Sequence, residues 1–385
     1  MNLEGRLHLS LELAQGHIRG AGLASERPVF AGRILEGRRS ALAVASVALL
    51  FSLCGRAQTA ALAAAVEVAQ EREASAAVRC QRQAVVLAES AREHLWRLVV
   101  DLPQHVGGVP QVGALAVLRR IFEQSSVAVG GAEQWWAHPL QSASSVAWRQ
   151  LADALDAYLS SAIFGQTLAD WRARNHVAAL NDWLAAKSSP VAEQLARLRA
   201  RDFGEVSVPF LALAEVDSLQ GAFARGSNFA KLPSLQGQPA ETGPLARRHA
   251  EPLLRDWVAQ RGRSAMARIL ARLVELADMP QRLRRLAAGE PDPALAQTRS
   301  ASGGGLAAVE TARGLLMHHV RMREDLIEEL TIVAPTEWNF HPQGAWVQGM
   351  AGVECASRED ALARGALLAY ALDPCVAWEL EVQHA

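Results

Sequence analysis

Leu3, Leu7, Leu9, Leu11 and Leu13 stand between mostly polar neighbours, the period-two pattern of a half-buried strand. Gln15-Gly16 is a turn signal, and HIRGAGL after it predicts a return strand. From about Arg39 the period becomes helical. Leu87, Ala91, Leu95 and Leu98 share one helix face, and Leu115, Leu118 and Phe122 share another. Leu151, Leu155, Tyr158 and Leu159 continue the pattern, as do Leu168, Trp171 and Leu180, and a long helix is predicted over 264–286. The longest apolar run, ALAVASVALLFSLC over 41–54, predicts a buried core helix; serines interrupt it, Gly55-Arg56 closes it, and it is too short to cross a bilayer. Two polar, Gly- and Pro-rich stretches, 226–243 and 289–305, predict flexible loops. Beyond them GLLMHHVRMRED and LIEELTIVAPT predict two strands joined by a charged turn, and a helix over 359–372 delivers the chain to Asp373-Pro374-Cys375. There is no internal repeat and no heptad run. The expected fold is mainly α with small β elements at both ends (α+β), a helical bundle with short connections within one domain over 1–385.

With 385 residues, half of them hydrophobic, the chain has ample material for a core. The formal net charge of −1 removes the clustered positive excess that a nucleic-acid partner requires. The amino terminus, MNLEGRLHLSLELAQG, has neither a basic segment nor a continuous apolar one, so no signal peptide and no membrane insertion are expected. A soluble, cytoplasmic protein is the expectation, with Cys54, Cys80, Cys355 and Cys375 as reduced thiols.

Cys54 lies between the apolar run and Gly55, which places its thiol at a helix junction. Helix amino ends lower thiol pKa, and the thiolate is the form that binds metal. Cys375 follows Asp-Pro. Taken singly, each reads as an ordinary buried cysteine, and no CxxC supports a zinc ribbon or a thioredoxin-type centre. His318 and His319 adjoin on a strand, so they face opposite ways and cannot readily chelate together; a structural role is expected. Trp135-Trp136 predicts core packing or a partner surface. Cys80 and Cys355 belong to no motif, and Glu337 and His341 carry no assigned role.

Five segments read together change this. Asn2-Leu3-Glu4-Gly5-Arg6-Leu7, Cys54-Gly55, Glu310-Thr311-Ala312-Arg313-Gly314, Ala334-Pro335-Thr336-Glu337-Trp338-Asn339 and Asp373-Pro374-Cys375 occur in this order. The set resembles the large subunit of nickel-iron hydrogenases, whose motifs read Arg-Ile-Glu-Gly-His-Leu, Cys-Gly-x-Cys, Glu-Ala-Pro-Arg-Gly, Val-Pro-Thr-Thr-Trp-Asn and Asp-Pro-Cys-x-x-Cys-x-x-His. The resemblance implies a truncated large-subunit-like helical fold. It also marks departures. Ala57 stands at the second cysteine of the first motif, and Trp378 and Glu381 replace the second cysteine and the histidine of the last.

The hydrogenase centre uses four thiolates to hold nickel and iron. Two cannot hold two metals at bridging distance, so neither nickel nor hydrogen activation is expected, and the chain reads as a catalytically degenerate relative. What the resemblance leaves is a pocket for the iron fragment alone. Cys54 and Cys375 would bind iron as Fe(CN)2(CO), transiently, while Arg313 and the Pro335-Thr336 pair would face the cyanide ligands, an arrangement suited to charge-assisted hydrogen bonds. A surface ion pair of Arg313 with Glu310 is the simpler alternative. Glu4 matches the proton-relay glutamate of the enzymes, but here a structural role is expected.

The pattern is similar to the HupK/HoxV group of hydrogenase accessory proteins. It implies a maturation scaffold whose partners are a HypC-type hydrogenase chaperone and the hydrogenase large-subunit precursor. Ten residues follow Cys375, so no counterpart of the cleaved precursor tail is expected. The alternative is a metal-free interaction protein that keeps the fold only for docking.

Overall fold

β1 (Arg6–Ala14) turns Leu7, Leu9, Leu11 and Leu13 into the core on one side, as the alternation requires. Gln15 and Gly16, both at positive φ, reverse the chain into β2 (His17–Ser25), antiparallel to β1. On its other edge β1 pairs in parallel with β7 (Ala377–His384), Leu7 opposite Trp378 and Leu9 opposite Leu380. The order β2-β1-β7 therefore joins both ends of the chain in one sheet. The computed structural model describes residues 5–27, 31–129 and 135–384; the expectation for Glu4 lies outside them.

The second sheet is an antiparallel meander, β3 (Ala296–Ala301), β4 (Gly304–Thr311), β5 (Gly314–Arg323) and β6 (Leu326–Val333). Both of its faces are covered. Ala307, Val309 and Leu316 join the main core, while Leu306, Ala308, Leu315 and Met317 join a second cluster with Phe223, Phe229 and Trp338. Burial on two sides explains why β4 and β5 show continuous apolar runs with no alternation. The long helix Gly55–Ala69 packs on β4 and β5. At Gly305 any Cβ would collide with the backbone of Ala65 and Ala69, so only glycine allows this approach.

Serine side chains open the longer helices. Ser75, Ser264 and Ser357 cap Ala76–Trp96, Ala265–Ala287 and Arg358–Leu372 by accepting from the N–H of Val78, Ala267 and Asp360. Trp135 and Trp136 are both buried, edge to face at 6.1 Å. No helix among the described residues is long and apolar enough to cross a membrane.

Four expectations are corrected. The apolar run over 41–54 is not one helix. Helix Ser40–Val47 passes into a 3-10 turn, Ala48–Leu50, and the chain then reverses so tightly that a Cβ on Gly55 would lie 3.2 Å from Ala48. Leu49 is left 85% exposed. The stretch 289–305 is a loop only in its first part, because its polar residues 296–301 form the edge strand β3. The stretch 226–243 holds a short helix, Ser227–Lys231, and buried Glu241 and Thr242. Residues 168–180 belong to two helices, Leu168–Arg172 and Val177–Ala186. β7 had no expectation at all.

Leu9 is fully enclosed in the central strand of the sheet that ties the chain ends together. Leu9→Ala is expected to lower unfolding free energy by about 2–5 kcal/mol, read from urea denaturation. A loss indistinguishable from that of an exposed substitution would contradict this packing.

Candidate metal-binding site

The reversal after Leu50 leaves Cys54 as the N-cap residue of helix Gly55–Ala69. Its sulfur accepts a hydrogen bond from Gln58 Nε2 at 3.7 Å. Gln58 is itself fixed by His318, whose Nε2 lies 2.7 Å from Gln58 Oε1. His319 points the other way, to the carbonyl of Ala301 at 2.7 Å. The strand thus separates the two histidines.

Cys375 arrives from the opposite end of the chain. Helix Arg358–Leu372 ends at Asp373 in a left-handed conformation (φ 57°), and Cys375 follows two residues later. Thr336, buried in the short helix Pro335–Asn339, holds it. Cys375 N–H donates to Thr336 Oγ1 at 3.1 Å, and the hydroxyl and the Cys375 sulfur hydrogen-bond to each other at 3.1 Å. Pro335 opens that helix and has no N–H to give. Asn339 ties the motifs together. Its Oδ1 accepts from Thr242 N–H at 2.9 Å, and its Nδ2 donates to the carbonyls of Arg313 and Leu372 at 3.3 and 3.4 Å.

Arg313 is 4% exposed. It does not pair with Glu310, whose carboxylate accepts from Arg247 at 2.8 Å. Arg313 NH2 donates to Glu93 at 3.0 Å, and its Nε faces Asp373 Oδ1 at 3.4 Å. Burial works against the guanidinium charge, but Asp373, Glu93, Cys375 and Cys54 outweigh it and hold the proton more firmly. Arg97, from a π-helical turn Arg97–Asp101, reaches the same Asp373 at 2.8 Å. Burial would raise the Asp373 carboxyl, yet Arg313, Arg97 and Arg272 hold it down to about 2.

A second guanidinium closes the other side. Arg27 NH1 donates to the Cys375 sulfur at 3.3 Å and lies 3.2 Å from Glu337 Oε1. The two arginines and two cysteines form one electrostatic cluster: Cys54 and Cys375 act on both guanidiniums. Among the described residues no group of three or more His, Cys, Asp or Glu side chains is placed to hold a metal ion. The soft donors at this site are therefore two thiols.

The helix-junction argument for a lowered Cys54 pKa fails here. Burial, the nearby Cys375 and Glu89 push its thiol up to about 12, and Arg313 and Gln58 offset this only in part. The amino end of the helix is already occupied, because the N–H groups of Arg56 and Ala57 donate to Glu89 at 3.0 and 3.1 Å. Of the five residues named from sequence, Thr336 and Cys375 are in direct contact, Pro335 adjoins Thr336, and Cys54 and Arg313 lie near enough to Cys375 to interact with it electrostatically. Sequence reasoning missed Arg27, Glu93, Arg97 and the anchoring role of Asn339. Asn339 and Asp373 sit inside recognised motifs and could have been drawn from them; Arg27 lies outside every motif.

Residues 225–378 match the family described as nickel-dependent hydrogenase. The chain is 32% identical to the hydrogenase expression/formation protein HupK of Bradyrhizobium diazoefficiens, over 92% of this chain and 90% of that one. It is 30% identical to HupV of Azotobacter chroococcum, covering both chains completely, and 30% identical to HoxV of Cupriavidus necator, over 94% and 92%. Among solved structures, a nickel-iron-selenium hydrogenase of Desulfomicrobium baculatum superposes with a TM-score of 0.70 at 16% identity, covering 97% of each chain. That of D. vulgaris Hildenborough gives 0.64 at 16%, again over 97% of each. These last two are likenesses of fold.

In the metal-free protein, alkylation of Cys54 is expected to keep accelerating well past pH 9, the ordinary thiol value, towards about 12. Folding stability follows the same sign. The folded thiol keeps its proton longer than the unfolded one, so its contribution is intact below pH 9 and is lost as pH rises towards 12. Mass-spectrometric labelling rates checked against pH would contradict this if they levelled off at or below pH 9.

Proposed function

The chain belongs to the family of HupK, HupV and HoxV hydrogenase expression/formation proteins, and from that premise we propose that it is a maturation scaffold that holds the Fe(CN)2(CO) fragment between Cys54 and Cys375 and passes it on. The observation that carries this reading is the pairing of two thiols, brought from opposite ends of the chain, with two buried guanidiniums. Iron(II) with two cyanides and one carbonyl is neutral, and two thiolates make the assembly doubly negative. Arg27 and Arg313, each also paired with carboxylates, place positive charge beside the half-buried thiols, where such pairing counts for more than in open water.

The parts have distinct tasks in this account. Cys54 and Cys375 supply soft donors. Arg313 brings a buried guanidinium, held by Glu93 and Asp373, whose charge suits a cyanide nitrogen. Thr336 offers a hydroxyl, which shares a hydrogen bond with the Cys375 sulfur, and Pro335 offers a rigid apolar wall. With Ala57 and Trp378 in the remaining cysteine positions, nickel has no four-thiolate site, and hydrogen catalysis is not part of the role. The partners proposed on the resemblance are a HypC-type hydrogenase chaperone on the supply side and the large-subunit precursor on the receiving side.

Both thiols must lose their protons for metal to bind, and Cys54 gives its proton up reluctantly. Weak retention suits a carrier that must release its cargo. Elemental analysis of protein purified without oxygen, from cells containing the hydrogenase assembly machinery, is expected to find iron close to stoichiometric with the chain and nickel at background. Cys54→Ala and Cys375→Ala should each lose most of the iron. Iron content unchanged by either substitution would contradict the assignment.

A further inference from the structure

Arg27 is a group that touches the Cys375 sulfur and belongs to no motif. It comes from just beyond β2, 348 residues before Cys375 in the chain, and its side chain is only 12% exposed. One nitrogen, NH1, meets both the Cys375 sulfur at 3.3 Å and the Glu337 carboxylate at 3.2 Å. Sulfur and carboxylate therefore lie no farther apart than those two contacts laid end to end. Cys54 acts on the same guanidinium. Cys375 and Glu337 thus share one cation, and a thiolate and a carboxylate are donors that a bare divalent transition ion takes; here an arginine occupies the place between them.

Access makes this consequential. Arg27, Thr336 and Glu337 line a cleft of about 210 Å³ together with Leu23, Leu232 and Phe340. Arg27 lines this cleft, and Cys375, which is not among the lining residues, is hydrogen-bonded to it. We propose that Arg27 is a specificity-determining residue, a resident cation that keeps free divalent metal ions off the thiol pair. The guanidinium charge repels an incoming dication, and its hydrogen bonds occupy the acceptors such an ion needs. The same charge favours the doubly negative assembly that a neutral iron-cyanide-carbonyl unit forms with two thiolates, so the device sorts cargo by charge. It rests on the reading of Cys54 and Cys375 as metal-binding thiols.

The test uses purified metal-free full-length protein titrated with Co(II) under anaerobic conditions, read by sulfur-to-cobalt charge-transfer absorption. Arg27→Gln keeps hydrogen bonding but removes the charge; Arg27→Lys keeps the charge but removes the planar fork. Arg27→Gln is expected to bind Co(II) at least about tenfold more tightly than the wild type, a difference of about 1.4 kcal/mol, with a thiolate band that Cys375→Ala abolishes. Arg27→Lys should behave as the wild type. Glu337→Gln added to Arg27→Gln should weaken the gained site. Two results overturn the proposal: Gln and Lys variants that both gain the site, which would make shape and not charge decisive, and a Gln variant that binds no better than the wild type. Should Arg27→Gln fail to fold, Arg27→Met stands in with the same expectation. Because Co(II) alone is the probe, a chain that carries no iron in cells but gains cobalt on losing Arg27 would sink the carrier role and leave this inference standing.

Discussion

A parallel ladder between β1 and β7 holds the two ends of the chain side by side, and everything at the candidate site depends on it. β2 returns antiparallel on the other edge of β1, and just past its end stands Arg27. β7 begins two residues after Cys375. The sheet thus delivers an arginine from one terminus and a thiol from the other to the same point. Parallel pairing cannot form locally, since it must close a loop of nearly the whole chain, and that closure is opposed by entropy until the intervening helices are packed. The buried leucines of β1 supply the compensating burial. A metal site built across such a junction is complete only in the folded chain.

Around that junction the fold keeps an unusual amount of charge out of water. Asp373 is met by Arg97, Arg313 and, more distantly, Arg272. Arg268 and Glu241 form a buried bidentate pair nearby, at 2.8 and 2.7 Å. Such pairs are weak evidence for stability, because desolvation consumes most of the attraction. Their effect here is positional. Arg313 is gripped by Glu93 and Asp373, so its guanidinium has a defined place relative to both thiols, and Asn339 fixes the backbone of the same turn. Gly314, at φ 133° and closed in by Thr242, completes that turn in a form no larger residue would tolerate.

Much of this was legible in the sequence. The leucine alternation of β1, the strands β5 and β6, and the helices begun by Ser75, Ser264 and Ser357 follow from local period and local hydrogen bonding. What was hidden depends on distant partners. β3 is polar and reads as loop; it is a strand because β4 needs an edge partner. β7 is a strand because β1 is exposed on that side without it. The apolar run at 41–54 breaks because the chain must double back to bring Cys54 to a helix start. The motif residues Cys54, Arg313, Pro335, Thr336 and Cys375 could be named from order alone, yet the environment that raises the Cys54 thiol could not. Arg27 had no local signature, since its meaning lies entirely in Cys375 and Glu337.

This chain shares its fold with nickel-iron-selenium hydrogenases, and it carries two thiols beside two guanidiniums. The central claim is that this constellation holds an iron unit bearing diatomic ligands. Infrared spectroscopy addresses it most directly, on protein purified without oxygen from cells with the assembly machinery, with a Cys54→Ala, Cys375→Ala double variant alongside. The account predicts cyanide and carbonyl stretching bands in the wild type that are absent from the double variant. A wild-type spectrum empty in that window, from protein still associated with its partners, would contradict it and leave a metal-free docking protein.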